Sequence, residues 1–244
     1  MTYCLGVLLP AGLIMASDSR SNAGVDQVAK VRKLETYAVP GERMIAILSA
    51  GNLATTQWVV SSLKESEGDM SLRSAKTMFE VAKAVGSLVR EVTDRDAKYV
   101  TPFGDPSANF IVGGQIAGEA PRLFQVYSAG NFIEASDRSC FLQVGETKYG
   151  KPILDRALSP DSTMDEAAKL TLLSFDATLR SNLSVGLPID MLRYKADSFS
   201  ADNFVTFEEH DAYFRGLRRA YADGLNALVN SLPAPSPAPD TIAS

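Results

Sequence analysis

The first eighteen residues constrain the fold more than any other stretch of the chain. Two apolar runs, YCLGVLL at 3–9 and LIMA at 13–16, are separated by the turn Pro10-Ala11-Gly12. Short apolar runs around a Pro/Gly turn predict a β-hairpin whose strands are covered on both faces. In an antiparallel hairpin the start of one strand lies beside the end of the next. We therefore expect the side chains of Thr2 and Asp18 to be neighbours.

Thr2 is also a candidate nucleophile. An initiator methionine is normally trimmed when the second residue is as small as threonine, which leaves Thr2 with a free α-amino group. A hydroxyl and a candidate base then share one residue, and enzymes activate threonine in this way. The alternative, a secretory signal peptide, is disfavoured because no Lys or Arg precedes Arg20 and the Pro/Gly turn interrupts the apolar run. The run is also too short and broken to span a membrane.

Charge and composition restrict the possible partners and cofactors. The 244 residues carry a net charge of -5 without a long basic run, so neither nucleic acid nor a membrane is an expected partner. The two cysteines, Cys4 and Cys140, lack metal-type spacing and indicate buried thiols in a reducing, cytoplasmic compartment. His210 is the one histidine, which excludes zinc sites built on several, and its acidic surroundings predict a surface position. We expect no cofactor and no metal.

The hydrophobic patterns predict strands, two helices, strands, two helices, strands and one helix. Helices are expected at about 53–64, from Ser71 to 92, 150–158, 164–183 and 211–232, and a loop at 19–24. This order predicts an α+β fold with two stacked antiparallel sheets and a helical layer outside each, in a single domain over 1–232. The Pro-rich tail at 233–244 is predicted to be extended or disordered.

Several segments carry a family resemblance that covers nearly the whole chain before the tail. They are Met1-Thr2-Tyr3, ASDSRSNAG at 16–24, VRK at 31–33, PGER at 40–43, SAGNLATT at 49–56, IVGGQI at 111–116 and SAGNFIE at 128–134. In these segments the chain resembles the proteasome β-subunit type of N-terminal nucleophile hydrolases, and most of all the bacterial ancestral-β-subunit branch. The 16–20 segment, at its fixed distance from Met1-Thr2, is the specific part. The resemblance implies a four-layer αββα sandwich, threonine chemistry and a ring or ring-like helical homo-oligomer.

The resemblance also implies roles for individual residues. Thr2 matches the nucleophile, with its own α-amine as the base, and Gly51 matches the residue whose backbone N–H forms the oxyanion hole. Lys33 matches the lysine that favours the unprotonated amine, and Asp18 would hold that lysine charged and oriented. Asn22 and Val31 match positions that line the pocket for the residue before the scissile bond, which suggests a small-to-medium neutral pocket.

Some positions depart from the proteasome pattern. Where that pattern supplies a Ser, an Asp and a further Ser around the amine, this chain offers Gly145-Glu146-Thr147, then Ser181 and Ser184. The separation of Thr2 and Lys33 is one residue shorter than usual, which leaves Lys30 as an alternative. An Asp–Lys pair can also be a purely structural salt bridge.

Three functions remain open on the sequence. The leading hypothesis is a threonine peptidase that acts on peptides or unfolded proteins inside an oligomeric chamber. The alternatives are an amidohydrolase of the same fold acting on a small amide, and a non-catalytic ring scaffold. A retained Met1 would favour the scaffold, because a blocked amine cannot act as a base. The sequence predicts no particular unfoldase partner.

Overall fold

A computed structural model describes residues 2–23, 27–66 and 71–235. Its strands are β1 (Tyr3–Leu9), β2 (Gly12–Asp18), β3 (Arg20–Ala23), β4 (Gln27–Lys30), β5 (Leu34–Val39), β6 (Arg43–Gly51), β7 (Ala108–Ile116), β8 (Arg122–Val126), β9 (Phe132–Glu134), β10 (Phe141–Gly145), β11 (Ile189–Lys195) and β12 (Phe204–Phe207). Its helices are α1 (Leu53–Glu65), α2 (Met78–Val100), α3 (Thr147–Ala157), α4 (Met164–Ser181) and α5 (Ala212–Ser231).

Two five-stranded antiparallel sheets form the centre of the described chain. One has the strand order β10-β1-β2-β11-β12 and the other β5-β6-β7-β8-β9. Their facing sides share a core that includes Leu13, Met15, Met44 and Ile111. Helices α3, α4 and α5 cover the outer face of the first sheet, and α1 and α2 cover that of the second. The predicted four-layer αββα sandwich is therefore confirmed.

The hairpin β1–β2 lies inside the first sheet, as the apolar runs predict. Cys4 pairs with Ser17 and Leu9 with Gly12, and both strands are buried along nearly their whole length. Alternate side chains point to opposite faces. Tyr3 packs against Phe175 of α4, with ring centroids 4.6 Å apart. The start of β1 is thus anchored to helix α4.

Two local predictions are wrong. The sequence predicts a loop at 19–24, but Arg20–Ala23 forms β3 and pairs with β4. Its polar residues show no apolar alternation, so the pattern carries no strand signal. The second helix begins at Met78 rather than Ser71.

The apolar residues before α2 are buried without being helical. Leu72 and Ala75 belong to the core beneath that helix. Their carbonyl groups accept hydrogen bonds from Nη1 of Arg43, at 2.8 and 2.9 Å. The apolar residues of this buried turn have the same spacing in the sequence as those of a helix. The sequence does not show that a distant arginine, rather than a helical neighbour, satisfies the carbonyl groups of the turn.

Helix α5 ends at Ser231, and residues 236–244 of the predicted tail lie outside the described residues. None of the described helices combines the length and apolar character needed to cross a bilayer. The domain boundary at 232 stays a prediction.

Candidate active site

A cleft of about 320 Å³ lies between the sheets and α1. Thr2, Val31, Lys33 and Gly51 all line it. Four residues that are dispersed in the sequence, and that the family resemblance singles out, therefore meet in one concave site.

The backbone around Thr2 is held by neighbours in space. Thr2 itself is buried, and its carbonyl oxygen accepts a hydrogen bond of 2.8 Å from the backbone N–H of Glu146. The next backbone N–H, that of Tyr3, donates to Oδ1 of Asp18 at 3.1 Å. Thr2 is thus fixed between the end of β10 and the end of β2, as expected for the start of the hairpin.

The side chain of Tyr3 anchors the same strand on its other face. Its hydroxyl lies 2.5 Å from Oγ of Ser174 and accepts a hydrogen bond from Nε2 of Gln143. Burial raises the pKa of Tyr3 to about 12, although the two hydrogen bonds oppose that rise. The residue after Thr2 is therefore a neutral phenol locked to α4 and β10.

Asp18 and Lys33 form a buried ion pair at the cleft. Nζ of Lys33 lies 2.7 Å from Oδ1 of Asp18 and also donates to the carbonyl oxygen of Arg20 at 2.5 Å. Oδ2 of Asp18 accepts from the backbone N–H groups of Arg20 and Gly186, at 3.2 and 3.1 Å. Burial raises the pKa of the Asp18 carboxyl, while the Lys33 ammonium and the backbone donors oppose that rise.

The two candidate lysines, Lys30 and Lys33, have different surroundings in the structure. Lys33 is buried against Asp18, whereas Lys30 is exposed and its Nζ lies 3.5 Å from Oε2 of Glu208. Of the two lysines, the structure places Lys33 in the same cleft as Thr2.

Gly51 ends β6 at a φ of 120°, a conformation that L side chains rarely adopt. A Cβ atom here would lie 2.3 Å from the carbonyl oxygen of Ser107, so the position requires glycine. The next residue, Asn52, caps α1 by accepting a hydrogen bond from Thr55 N–H at 3.2 Å. The positive end of the α1 dipole therefore lies beside the cleft, where it favours a developing negative charge.

Other predicted residues are not brought to the cleft. Ser181 is exposed at the end of α4 and lines a separate groove with Tyr149 and Leu225. Ser184 donates its backbone N–H to Asn182 Oδ1, and within the described chain neither serine lines the Thr2 cleft. The last turn of α4 faces α3 and α5. In the loop that follows α4, the group that contacts Asp18 is the backbone N–H of Gly186.

The side chain of Asn22, the other predicted pocket residue, lies outside what the structure describes. Asn22 itself is in β3, paired with Val28. The prediction that it lines the substrate pocket therefore stays a prediction.

Sequence reasoning missed the charged wall of the cleft. Glu35 and Lys64 both line it and form an ion pair of 2.7 Å. Arg32 lines it as well, so the cleft as a whole has charged walls, and the expected neutral pocket at Asn22 and Val31 stays a prediction. A local sequence pattern cannot predict this pair, because Glu35 on a strand and Lys64 on a helix are 29 residues apart.

In the part of the chain that the structure describes, the thiols and the possible metal ligands form no second candidate site. Cys4 and Cys140 are free and buried, and burial raises the pKa of both thiols, which keeps them protonated. Among residues 2–23, 27–66 and 71–235, no group of three or more His, Cys, Asp or Glu side chains is placed to hold a metal ion. His210 is exposed.

The sandwich of two antiparallel sheets between helical layers, with a threonine leading an inner strand, is the architecture of the N-terminal nucleophile hydrolases. A family model described as proteasome subunit matches residues 2–191. The chain therefore belongs to the proteasome subunit family.

Individual relatives refine this assignment. The proteasome subunit beta of Archaeoglobus profundus is 21% identical over 219 residues, which cover 90% of this chain and 94% of that protein. Anbu (ancestral beta-subunit) from Yersinia bercovieri is 45% identical, with a TM-score of 0.91 over 97% of this chain and 100% of that one. The chain in the helical assembly of the Anbu complex from Pseudomonas aeruginosa is 44% identical, with a TM-score of 0.92 over 99% and 100% of the two chains. Within the proteasome family, the chain is thus similar to Anbu.

Proposed function

We propose that this protein is a threonine peptidase whose nucleophile is the hydroxyl of Thr2 after removal of Met1. The observation that carries the proposal is that Thr2 lines the same cleft as Lys33, which is fixed on the buried carboxylate of Asp18. A buried ion pair is costly to form and is often neutral or worse for stability, so a role in the site accounts for it better than stability does.

The chemistry follows from the groups present. The α-amine of Thr2 takes the hydroxyl proton through a water, the hydroxyl oxygen bonds to the scissile carbonyl carbon, and the carbonyl oxygen becomes an oxyanion. The backbone N–H of Gly51 and the start of α1 stabilise that oxyanion. The protonated amine then gives its proton to the leaving amine as the C–N bond breaks, and a water hydrolyses the resulting ester. Lys33 favours the unprotonated amine, and Asp18 holds Lys33 in place.

We also propose a large homo-oligomer, ring-like or helical. The Anbu complex from Pseudomonas aeruginosa forms a helical assembly, and its chain is 44% identical to this one. Within α5, which the structure describes over its whole length, Phe214 is the only buried residue, and Tyr221, Leu225, Leu228 and Val229 are exposed. Such an apolar stripe is typical of a surface that is covered in an assembly. Sedimentation velocity tests this, and a monomer at micromolar concentration would contradict it.

We further expect the protein in a reducing, cytoplasmic compartment. Both cysteines, Cys4 and Cys140, are free and buried, which supports this expectation.

Turnover by the wild-type protein and two Thr2 variants tests the peptidase. Fluorogenic peptides should be cleaved by the wild type, by Thr2→Ser at a reduced rate because a hydroxyl remains, and not by Thr2→Ala. Full activity in Thr2→Ala would exclude Thr2 as the nucleophile. Turnover of small acyl amides with no turnover of peptides would instead favour the amidohydrolase. A processed protein that cleaves neither would favour the scaffold.

A further inference from the structure

The cleft is long because one whole face of α1 forms its wall. Its lining residues on that helix are Leu53, Thr56, Gln57, Val60, Ser61 and Lys64. The spacing of three and four residues places them on one helical stripe. At 1.5 Å of rise per residue, the wall extends for about 16 Å, which exceeds the reach of a single short side chain.

The charges that solvent can reach in this cleft are predominantly positive. Lys64 and Glu35 form an ion pair with 42% and 32% of their side chains exposed. Arg32 is 62% exposed, and its ion-pair partner in the described chain, Asp190, is 4.0 Å away and buried. Lys33 is occupied by Asp18, away from solvent. A ligand therefore meets two accessible cations and one accessible carboxylate.

We infer that the cleft selects peptides with an acidic side chain on the acyl side of the scissile bond, and that Lys64 determines this specificity. The inference rests on the proposed function and names its substrate class. A carboxylate entering the cleft can share the Lys64 ammonium with Glu35 and is attracted by Arg32. A basic side chain must displace Lys64 from Glu35 and is repelled by Arg32.

Matched peptides measure the preference in the wild-type protein. Two fluorogenic tripeptides carry glutamate or glutamine at the last acyl position, and a second pair carries them at the position before it. Glutamate and glutamine have the same shape, so the ratio of their kcat/KM values reports charge alone. We expect a ratio of roughly two to five in favour of glutamate in one of the pairs, as for a charge contact in a half-exposed cleft. The preference should shrink as salt is added.

Variants assign the preference to Lys64. Lys64→Gln should bring the ratio close to one, whereas Glu35→Gln should raise it because Lys64 is then free for the substrate. Lys151→Gln is the control, because Lys151 also belongs to an exposed ion pair, with Asp155 of α3, and does not line this cleft. A ratio of one or below for both pairs in the wild type, or a ratio that Lys64→Gln leaves unchanged, would overturn the inference.

Binding separates this inference from the proposed chemistry. In Thr2→Ala, titration calorimetry with the same peptides should show tighter binding of glutamate than of glutamine, and Lys64→Gln added to Thr2→Ala should remove the difference. Tighter binding of the glutamine or a lysine peptide would overturn the specificity even if Thr2 is the nucleophile. Conversely, a glutamate preference with no loss of turnover in Thr2→Ala would overturn the nucleophile and leave the specificity standing.

Discussion

Gly145 sets the position of the nucleophile, and its replacement by alanine is the sharpest test of how Thr2 is held. Gly145 ends β10 opposite Tyr3, at a φ of 87°. A Cβ atom added there would lie 1.9 Å from the carbonyl oxygen of Thr2. Because Cβ contacts under 3.0 Å essentially never occur, the two backbones would have to separate by about 1 Å. The hydrogen bond from Glu146 N–H to that oxygen would lengthen or break.

Gly145→Ala should lower the unfolding free energy through backbone strain and a lost hydrogen bond, and should lower the reaction rate by displacing Thr2. A left-handed conformation costs an alanine roughly 1–2 kcal/mol. Loss of the Glu146 hydrogen bond costs about 1 kcal/mol more, and the forced contact adds to it. Together these effects should lower the unfolding free energy of Gly145→Ala by about 3 kcal/mol. A displacement of about 1 Å at a reacting group lowers a rate by about 100-fold.

Gly41→Ala provides a matched control. Gly41 has a similar φ of 74°, but an added Cβ would meet nothing within 4 Å. It should lose about 1 kcal/mol by denaturant unfolding and leave labelling of Thr2 by an electrophile unchanged. Gly145→Ala should be labelled about 100-fold more slowly at a temperature where it is folded. Equal labelling rates in the two variants would refute the argument that β10 positions Thr2.

Three further predictions concern other parts of the structure. Lys33→Ala should abolish electrophile labelling of Thr2 while Lys30→Ala changes it little, because Lys33 and not Lys30 contacts Asp18; the reverse outcome would move the site to Lys30. The pKa of Tyr3 is raised from 10.0 to about 12, so its contribution to stability is complete below about pH 10 and is lost as pH rises to about 12, by roughly 2–3 kcal/mol. Denaturant unfolding should therefore show Tyr3→Phe less stable than wild type at pH 8 and nearly equal near pH 12, and a difference independent of pH would exclude this contribution. Truncation before Pro233 should leave the melting temperature nearly unchanged, because the Pro-rich tail offers few apolar side chains to bury; a large drop would show that the tail docks.

Features that depend on local pattern can be predicted from the sequence. The hairpin follows from two apolar runs and a turn, and its geometry alone places Asp18 next to the start of the chain. The start of α4 is equally local, because the Thr163 and Glu166 side chains form a capping box within one turn of the chain.

Contacts between distant segments cannot be predicted in this way. The hydrogen bond from the backbone N–H of Gly186 to Asp18 joins residues that are 168 apart in the chain. The Glu35–Lys64 ion pair joins a strand to a helix. The assignment of Lys33 depends on the family resemblance, and the structure places its ammonium group on Asp18. Strand β3 escapes prediction because its residues are polar and pair with another short strand.

The most direct test of the account is the site at which an electrophile modifies the wild-type protein. The intact mass shows whether Met1 has been removed, and treatment with a β-lactone or epoxyketone followed by peptide mapping locates the adduct. We predict a protein that lacks Met1 and carries one adduct, on Thr2. A protein that lacks Met1 and is modified elsewhere, or not at all, would contradict the proposal that Thr2 is the nucleophile.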